Sequence, residues 1–351
     1  MKNIIVGSVS DDAGKTSFIV GLGKAIVADG SQPAGRKFGY LKPFGDRLIY
    51  RKKRLWDYDS AVVTNIFALE QSSEDITLGF EHSKLRYMYD EAGTKAKLQE
   101  MAHNLGDGIQ LLLVEGGKDL TYGASVRLDT LSLVKYLNGK LIIIVSGDEG
   151  TIIDDITFVK KYVDLSGVDY GVVINKVSNL EDYKANHLRD IKEMGVNVLG
   201  VIPFERSLTE VPMSYIAEKI QARVIGGEGG LSKRMKHVFV GAMSGDIAAH
   251  SPLFKKENKV VITGGDRADM VVAALEKTTS GIILTNNILP PHNLLAKASD
   301  MNIPILLVPF DTFQTAKQID DMIPLLTKDD TERIAMLEKL VQQNVDLKSI
   351  I

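Results

Sequence analysis

Cysteine is absent from the 351-residue sequence. Disulfides, thiolate metal sites, iron–sulfur clusters and cysteine nucleophiles, including those of cysteine-type glutaminases, are therefore excluded. A chain without cysteine also fits the cytoplasm. The six histidines show no spacing typical of metal ligands, so we expect them to be surface or core residues.

Strong net charge and long apolar runs are also missing. The formal net charge is -3, so no overall attraction to nucleic acid or to a membrane surface is expected. No apolar run reaches the length of a membrane span, and Met1-Lys2-Asn3 leads directly into a predicted strand rather than a signal peptide. We therefore expect a globular cytoplasmic protein, and its length predicts two domains.

The most informative stretch lies near the start of the sequence. Ile4-Ile5-Val6 predicts a strand, Gly7 to Gly14 a loop, and the segment from Lys15 an amphipathic helix. This order is typical of a P-loop, in which free backbone N–H groups at the start of a helix bind phosphate. Lys15 would neutralise the β- and γ-phosphates, and the Thr16 hydroxyl would bind Mg²⁺. The alternative is an ordinary strand–turn–helix with an incidental lysine.

The glycine spacing of this loop is unusual, because Val9 stands where the standard motif has its first glycine. The flanking strand and the amphipathic helix still favour a nucleotide loop. Its candidate nucleotide-binding residues are Ser10, Asp12, Ala13, Gly14, Lys15, Thr16 and Ser17.

The first half of the chain alternates buried strands with helices. Continuous apolar runs predict strands at 109–114, 141–145, 169–174 and 197–202, and helical patterns lie between them. This alternation predicts an α/β fold with a doubly wound parallel sheet of the P-loop NTPase type, flanked by helices. Ligands of such sheets bind at the carboxyl ends of the strands, where polar residues cluster here.

Several of these polar residues have two interpretations. Glu115 follows a strand and is either a Mg²⁺ ligand or a solvated loop carboxylate. Asp57 and Asp59 flank Tyr58 before a helix, where one is a helix N-cap or a further metal ligand, with Asp59 favoured as the ligand. Lys42 at a strand end either pairs with a phosphate or a substrate carboxylate or is a surface lysine.

Five basic residues lie close together in the same region. They are Arg47, Arg51, Lys52, Lys53 and Arg54. This run is either a solvated face or a lid or binding site for an anionic substrate. A single short run on an acidic protein does not indicate nucleic-acid binding.

Together these features resemble the dethiobiotin synthetase branch of P-loop proteins, which includes the ATPase domains of cobyrinic acid diamide synthases. The resemblance covers residues 1–210. It rests on the loop Gly7 to Thr16 and on Tyr40-Leu41-Lys42-Pro43, Val114-Glu115-Gly116-Gly117, Val173-Ile174-Asn175-Lys176 and Leu199-Gly200-Val201-Ile202-Pro203. It implies an ATP- and Mg²⁺-dependent domain.

The resemblance also implies roles for individual residues. Lys15 and Lys42 become catalytic groups, and Mg²⁺ is held by Thr16, by Glu115 and by Asp57 or Asp59, with Asp59 favoured. Asn175 would read adenine, with Lys176 beside it, although Asn175 by its sequence context is a turn residue. The implied reaction transfers the γ-phosphoryl group of ATP to a small-molecule carboxylate or to water. Alternatives are a regulatory module with little catalysis, controlling a separate phosphate acetyltransferase, and an amidoligase subunit supplied with ammonia by another protein.

The second half begins after a glycine-rich stretch, Gly226-Gly227-Glu228-Gly229-Gly230. It predicts a linker over 211–230 and a smaller α/β domain over 231–351. That domain resembles the DRTGG domain through Val240-Gly241-Ala242-Met243, Gly264-Gly265-Asp266-Arg267, Gly281-Ile282-Ile283-Leu284-Thr285 and Asp311-Thr312-Phe313-Gln314-Thr315-Ala316. The order of the two domains resembles the N-terminal region of long bacterial phosphate acetyltransferases.

This second resemblance implies a regulatory role that involves a metabolite, and we expect a homodimer or higher homo-oligomer. Two segments of the second domain are candidates for ligand binding or for helix capping. Gly264 to Arg267 is either an anion site, with Arg267 as a fork for carboxylate or phosphate, or a tight turn with Asp266 as helix N-cap. Asp311 is predicted to cap a helix.

Overall fold

The structure is a computed structural model that describes residues 1–28, 37–51, 54–105, 108–252, 254–322 and 324–350. The chain forms two compact units. The first unit combines Met1–Glu205 with Leu326–Ile351, and the second unit is Arg206–Leu325. Within the described ranges, no helix is long and apolar enough to cross a membrane.

A parallel sheet forms the centre of the first unit. Its strands and an accompanying hairpin are β1 (Lys2–Ser8), β2 (Lys37–Leu41), β3 (Leu48–Arg51), β4 (Arg54–Asp57), β5 (Ile109–Glu115), β6 (Lys140–Ser146), β7 (Tyr170–Val177) and β8 (Val198–Pro203). The six-stranded sheet has the order β2-β5-β1-β6-β7-β8, and β3 and β4 form a separate antiparallel pair. In the central register Ile5 lies beside Val114 and Leu141. The predicted parallel sheet is confirmed.

Helices cover this sheet, which explains its unbroken apolar strands. They are α1 (Lys15–Ala28), α2 (Tyr58–Ile66), α3 (Ser73–Ile76), α4 (His82–Met88), α5 (Glu91–Asn104), α6 (Thr130–Leu137), α7 (Glu149–Val163), α8 (Leu180–Asn186) and α9 (Leu188–Glu193). Helices α2, α5, α6 and α7 each begin after an aspartate whose carboxylate accepts a hydrogen bond from a backbone N–H. These caps set where the sequence enters each helix.

The second unit is a smaller α/β domain. Its strands are β9 (Val211–Pro212), β10 (Arg223–Gly226), β11 (Arg234–Met235), β12 (His237–Val240), β13 (Lys259–Gly264), β14 (Thr279–Thr285) and β15 (Ile305–Leu307). Its helices are α10 (Met213–Lys219), α11 (Gly245–His250), α12 (Ala268–Ala274), α13 (His292–Asp300) and α14 (Thr312–Asp320). The main sheet has the order β10-β15-β14-β13-β12, with β10 antiparallel to β15 and the other pairs parallel. Apolar clusters cover both of its faces.

The linker predicted over 211–230 is not a linker in the structure. The segment contains β9, α10 and β10 and belongs to the second unit. Gly227 has a φ of +67°, and a Cβ added to it would overlap the backbone carbonyl of Ile303. These glycines therefore permit close backbone packing rather than flexibility.

The predicted 231–351 domain is also too long at its end. Residues from Leu326 onward return to the first unit and form α15 (Thr331–Asn344) and α16 (Leu347–Ile350). Helix α15 packs on α1, where a Cβ on Gly21 would lie 2.6 Å from the carbonyl oxygen of Leu337. The Asp346 backbone N–H then donates to the Leu199 carbonyl at 2.8 Å. The amphipathic face of α15 thus packs against the first unit.

Substituting Gly227 tests whether the 226–230 stretch is packed. We expect Gly227→Ala to lower the free energy of unfolding by more than about 3 kcal/mol, since strain at positive φ alone costs about 1–3 kcal/mol and a backbone overlap is added. Gly167 is the matched control, because it has the same φ of +67° with no atom near the added Cβ. Urea unfolding followed by circular dichroism measures both variants. Equal losses would instead favour the linker predicted from the sequence.

Candidate functional site

Two side chains at the end of β7 donate hydrogen bonds to the backbone of the predicted nucleotide loop. The Asn175 amide nitrogen donates to the carbonyl oxygen of Ala13 at 2.8 Å. The Lys176 ammonium donates to the carbonyl oxygen of Asp12 at 2.5 Å. Gly14 has a φ of +100°, and a Cβ there would lie 2.5 Å from the Asn175 amide nitrogen. The loop therefore needs glycine at this position, both for its backbone conformation and for the close approach of β7.

Lys15 points back along the loop. It is only 7% exposed, and its ammonium donates to the Ser8 hydroxyl at 2.8 Å and to the Lys118 carbonyl at 2.9 Å. Burial lowers the pKa of Lys15, and the nearby Glu115 carboxylate opposes that shift. Ser10 and Ser17, also predicted to bind nucleotide, are half-buried in the loop and in the first turn of α1.

The side chains of Thr16 and Glu115 are in contact at the N-terminus of α1. The Thr16 hydroxyl donates to Glu115 Oε1 at 2.8 Å, and the Tyr40 hydroxyl donates to Oε2 at 2.8 Å. Glu115 is buried, so its interpretation as a solvated loop carboxylate is wrong. Burial raises the pKa of Glu115 to about 7, against the opposing effect of the Lys42 ammonium. Two of the three predicted Mg²⁺ ligands are thus in direct contact.

Lys42 is completely buried, and its interpretation as a surface lysine is wrong. Its ammonium lies close to several carboxylate oxygens. These belong to Asp59 (2.6 Å), Asp46 (2.7 Å), Asp57 (3.4 Å) and Glu115 (3.7 Å). Burial acts to lower the pKa of Lys42, but the carboxylates raise it well above its usual value. Lys42 therefore stays charged and holds the acidic side chains together.

The structure separates the roles of Asp57 and Asp59. The carboxylate of Asp57 caps α2 by accepting from the Ser60 backbone N–H at 2.9 Å. It also accepts from the backbone N–H groups of Asp46 at 3.0 Å and Arg47 at 3.1 Å. Asp57 is therefore the N-cap. Burial acts to raise the pKa of Asp59, but Lys42 and Arg47 lower it. Since Asp57 serves as the cap, Asp59 stays the predicted metal ligand of the pair.

The acidic cluster has the chemistry of a site for a hard cation. One carboxylate oxygen from each of Asp46, Asp57 and Asp59 lies within 4.8 Å of the others. Such oxygens are the ligands that Mg²⁺ prefers. The Asp57 carboxylate already accepts from three backbone N–H groups. The Asp59 carboxylate is paired with the Lys42 ammonium and lies near the Arg47 guanidinium. Binding of Mg²⁺ by Asp59 therefore remains a prediction.

Only part of the basic run can be assigned. Lys52, Lys53 and the side chain of Arg51 lie outside the described residues. Arg54 is exposed and pairs with Glu74 at 3.1 Å. Arg47 instead reaches the predicted nucleotide loop, where its guanidinium contacts Asp12.

Sequence reasoning missed several members of this site. Tyr40 precedes Lys42 by two positions, so strand alternation could have placed both side chains on one face. Ser8 and Lys118, which accept the hydrogen bonds of Lys15, carry no comparable signal. Neither does Asp46, which joins the cluster only because the turn after β2 brings it beside Lys42.

The predictions for the second unit had mixed outcomes. Arg267, not Asp266, is the N-cap residue of α12. The Arg267 guanidinium donates to Asp269 at 3.1 Å and to the Met243 carbonyl at 2.8 Å, so its fork is already engaged within the protein. Asp311 caps α14 by accepting from the Gln314 backbone N–H at 2.7 Å, as predicted.

Family models match almost the whole chain. Residues 2–212 match a family described as an AAA domain, and residues 215–322 match the DRTGG domain. The chain belongs to this AAA-domain family. It is homologous to the N-terminal region of long phosphate acetyltransferases, which confirms that predicted resemblance.

Among these relatives, the phosphate acetyltransferase of Nitrosomonas europaea is 22% identical over an alignment of 373 residues. The alignment covers 98% of this chain and 50% of that protein. The chain thus spans about half the length of the curated relatives it matches. The MinD cell division protein of Aquifex aeolicus is similar in structure at a TM-score of 0.36 and 16% identity, covering 59% of this chain and 84% of that one. The CBS and DRTGG domains of Clostridium perfringens pyrophosphatase align with a TM-score of 0.29 and 18% identity. This alignment covers 44% of this chain and 79% of the pyrophosphatase chain.

Proposed function

We propose that the first unit binds ATP with Mg²⁺ and transfers its γ-phosphoryl group to a small-molecule carboxylate or to water. The observation that carries the proposal is the contact between the Thr16 hydroxyl and the buried Glu115 carboxylate at 2.8 Å. In P-loop proteins a hydroxyl at this position and an acidic residue after a neighbouring strand hold Mg²⁺. The match to the AAA-domain family supports this assignment.

The residues present fit a Mg²⁺–nucleotide. The loop ends at a 14-residue helix, α1, whose first backbone N–H groups suit a phosphate anion. Gly14 gives the loop the φ of +100° that its turn before α1 requires. Oxygen ligands from Thr16, Glu115 and Asp59 suit Mg²⁺. When bound, Mg²⁺ would supply positive charge toward the β- and γ-phosphate oxygens.

The protein's own groups would act by positioning and electrostatics. Lys15 would neutralise charge on the β- and γ-phosphates. Lys42 would keep Asp59 and Glu115 in place, since its ammonium lies 2.6 Å and 3.7 Å from their carboxylates. A carboxylate nucleophile needs no general base, because it is already ionised near neutral pH.

A second candidate function is regulatory. The chain matches half of the phosphate acetyltransferase relatives and carries a DRTGG domain, and this favours a module that senses ATP and a metabolite and controls an acetyltransferase. In that case the first unit would bind ATP with little turnover.

Calorimetry and a phosphate-release assay test these functions together. We expect the full chain to bind ATP in the presence of Mg²⁺ and to bind it more weakly with EDTA. ADP formation that rises with one member of a panel of small carboxylic acids would identify the enzyme. Binding without turnover across the panel would favour the regulator. A chain that binds neither ATP nor ADP would contradict the proposed function.

Substitutions of the two neighbouring aspartates test the predicted metal ligand. We expect Asp59→Asn to raise the Mg²⁺ concentration needed for half-maximal ATP binding by about 10-fold or more, because a carboxylate ligand is lost. Asp57→Asn is the matched comparison, and we expect it to lower the free energy of unfolding by about 1–3 kcal/mol through the lost cap and acceptors. Magnesium titrations and urea unfolding separate the effects. The assignment is wrong if Asp57→Asn changes the Mg²⁺ requirement and Asp59→Asn does not.

A further inference from the structure

We propose that Arg47 binds the γ-phosphoryl group of the nucleotide and stabilises its charge during transfer. This inference rests on the proposed function. It adds a residue that neither the loop pattern nor the resemblance to dethiobiotin synthetases assigns.

The backbone of Arg47 is held on both sides. Its N–H donates to the Asp57 carboxylate at 3.1 Å. Its carbonyl accepts from the Tyr58 backbone N–H at 2.7 Å. Asp57 is itself fully buried. The backbone of Arg47 is therefore anchored to the start of α2, and the position of its guanidinium is set by the carboxylates that it contacts.

The guanidinium of Arg47 lies between the nucleotide loop and the predicted metal ligand. One terminal nitrogen contacts the Asp12 carboxylate and lies 3.8 Å from that of Asp11. The other lies 3.7 Å from the Asp59 carboxylate. A γ-phosphate held by the loop beside Mg²⁺ would enter the region that these three carboxylates border.

Arg47 is more accessible to a phosphate than Lys42 and Lys15, and it would act on the γ-phosphoryl group together with Lys15. Lys42 has no exposed surface, and its ammonium is bonded to Asp46 and Asp59. Lys15 donates to Ser8 and to the Lys118 carbonyl. The Arg47 side chain is 26% exposed, and its partner Asp12 is 42% exposed. Ion pairs between exposed groups contribute little, so the guanidinium can exchange Asp12 for phosphate oxygens.

A guanidinium suits this role chemically. Its planar donors can bind two phosphoryl oxygens at once, and it stays protonated throughout. In the transfer, the nucleophile oxygen bonds to the γ-phosphorus while the bond to the β,γ-bridging oxygen breaks, and that electron pair stays on ADP. With water as nucleophile, its proton passes to the released phosphate. Arg47 only donates hydrogen bonds in this step.

The test compares two nucleotides that differ at the γ-position. Calorimetry with Mg²⁺ would measure the Kd of ADP and of the non-hydrolysable analogue adenylyl-imidodiphosphate. We expect Arg47→Ala to weaken the analogue by about 10-fold or more and to leave ADP within about twofold, because only the analogue has the third phosphate. We expect Arg47→Lys to recover part of the loss. Arg54→Ala, whose side chain pairs with exposed Glu74, is the matched control and should bind both as wild type.

A double-mutant cycle with Asp12 protects the test if Arg47→Ala folds poorly. Asp12 has a φ of +55°, a conformation that asparagine tolerates, so Asp12→Asn preserves the loop. We expect this variant to bind the analogue more tightly, and we expect Arg47→Lys to reduce that gain because lysine lacks the two-oxygen fork.

Three outcomes would overturn the inference. They are an equal loss of ADP and analogue in Arg47→Ala, no loss of either, or an Asp12→Asn gain that is unaffected by Arg47→Lys. A wild-type chain that binds neither nucleotide would instead contradict the proposed function, so the two failures are distinguishable.

Discussion

Replacing Lys15 by alanine is expected to reduce ATP turnover by about 100-fold or more, because a preorganised charge on the transferring phosphoryl group is lost. Binding of ATP should weaken as well, since a charge-assisted contact with the phosphates disappears. The ammonium is already buried at the loop, with its position set by Ser8 and the Lys118 carbonyl. Calorimetry and phosphate release in the full chain measure the two effects.

Lys24 supplies the control for this variant. It lies on the same helix, α1, and its ammonium sits 5.0 Å from the centre of the Phe67 ring rather than at the loop. Lys24→Ala should therefore bind and turn over ATP as the wild type does. Unchanged ATP affinity and hydrolysis in Lys15→Ala would leave only a two-unit α/β protein without an assigned nucleotide.

A chain that ends at Leu325 is expected to lose the stable fold of the first unit. The missing segment buries a row of apolar side chains against that unit: Ile334, Leu337, Leu340, Val341, Val345 and Ile350. Each fully buried aliphatic side chain contributes about 1.5–3 kcal/mol, and a whole domain is stable by only about 5–15 kcal/mol. Losing all six side chains would therefore remove most of the free energy of unfolding of the first unit. Circular dichroism during thermal unfolding measures the result.

Point variants in α15 refine this test. We expect Leu340→Ala to lower the free energy of unfolding by about 2–5 kcal/mol, as is typical for a buried leucine. The neighbouring Lys339 is exposed, so Lys339→Ala should have almost no effect. If the chain ending at Leu325 unfolds at the wild-type temperature, the C-terminal segment is dispensable and its packing on α1 contributes little.

The predictions that succeeded rest on local patterns. The strand–loop–helix order around Lys15 follows from an apolar run, a turn and an amphipathic repeat that adjoin in the chain. The same holds for the buried strands β5 to β8 and for the Asp311 cap, whose partner Gln314 is only three residues away. Each of these features is determined by side chains that are close to one another in the sequence.

The errors concern contacts between distant parts of the chain. The glycines near Gly227 look like a linker until Ile303 is seen to pack against them. Helix α15 looks like the end of the second domain, because an amphipathic pattern predicts a buried face and not the surface that covers it.

The sequence by itself determined that this protein has a loop of the P-loop type at the carboxyl end of a strand in a parallel sheet, followed by a second α/β domain. Only the tertiary structure decided that Asp57 caps a helix while Asp59 faces Lys42, and that Arg47 reaches the loop. The reason is physical. Secondary structure follows from neighbouring residues, whereas the surroundings of a buried charge depend on which distant segments the fold brings around it.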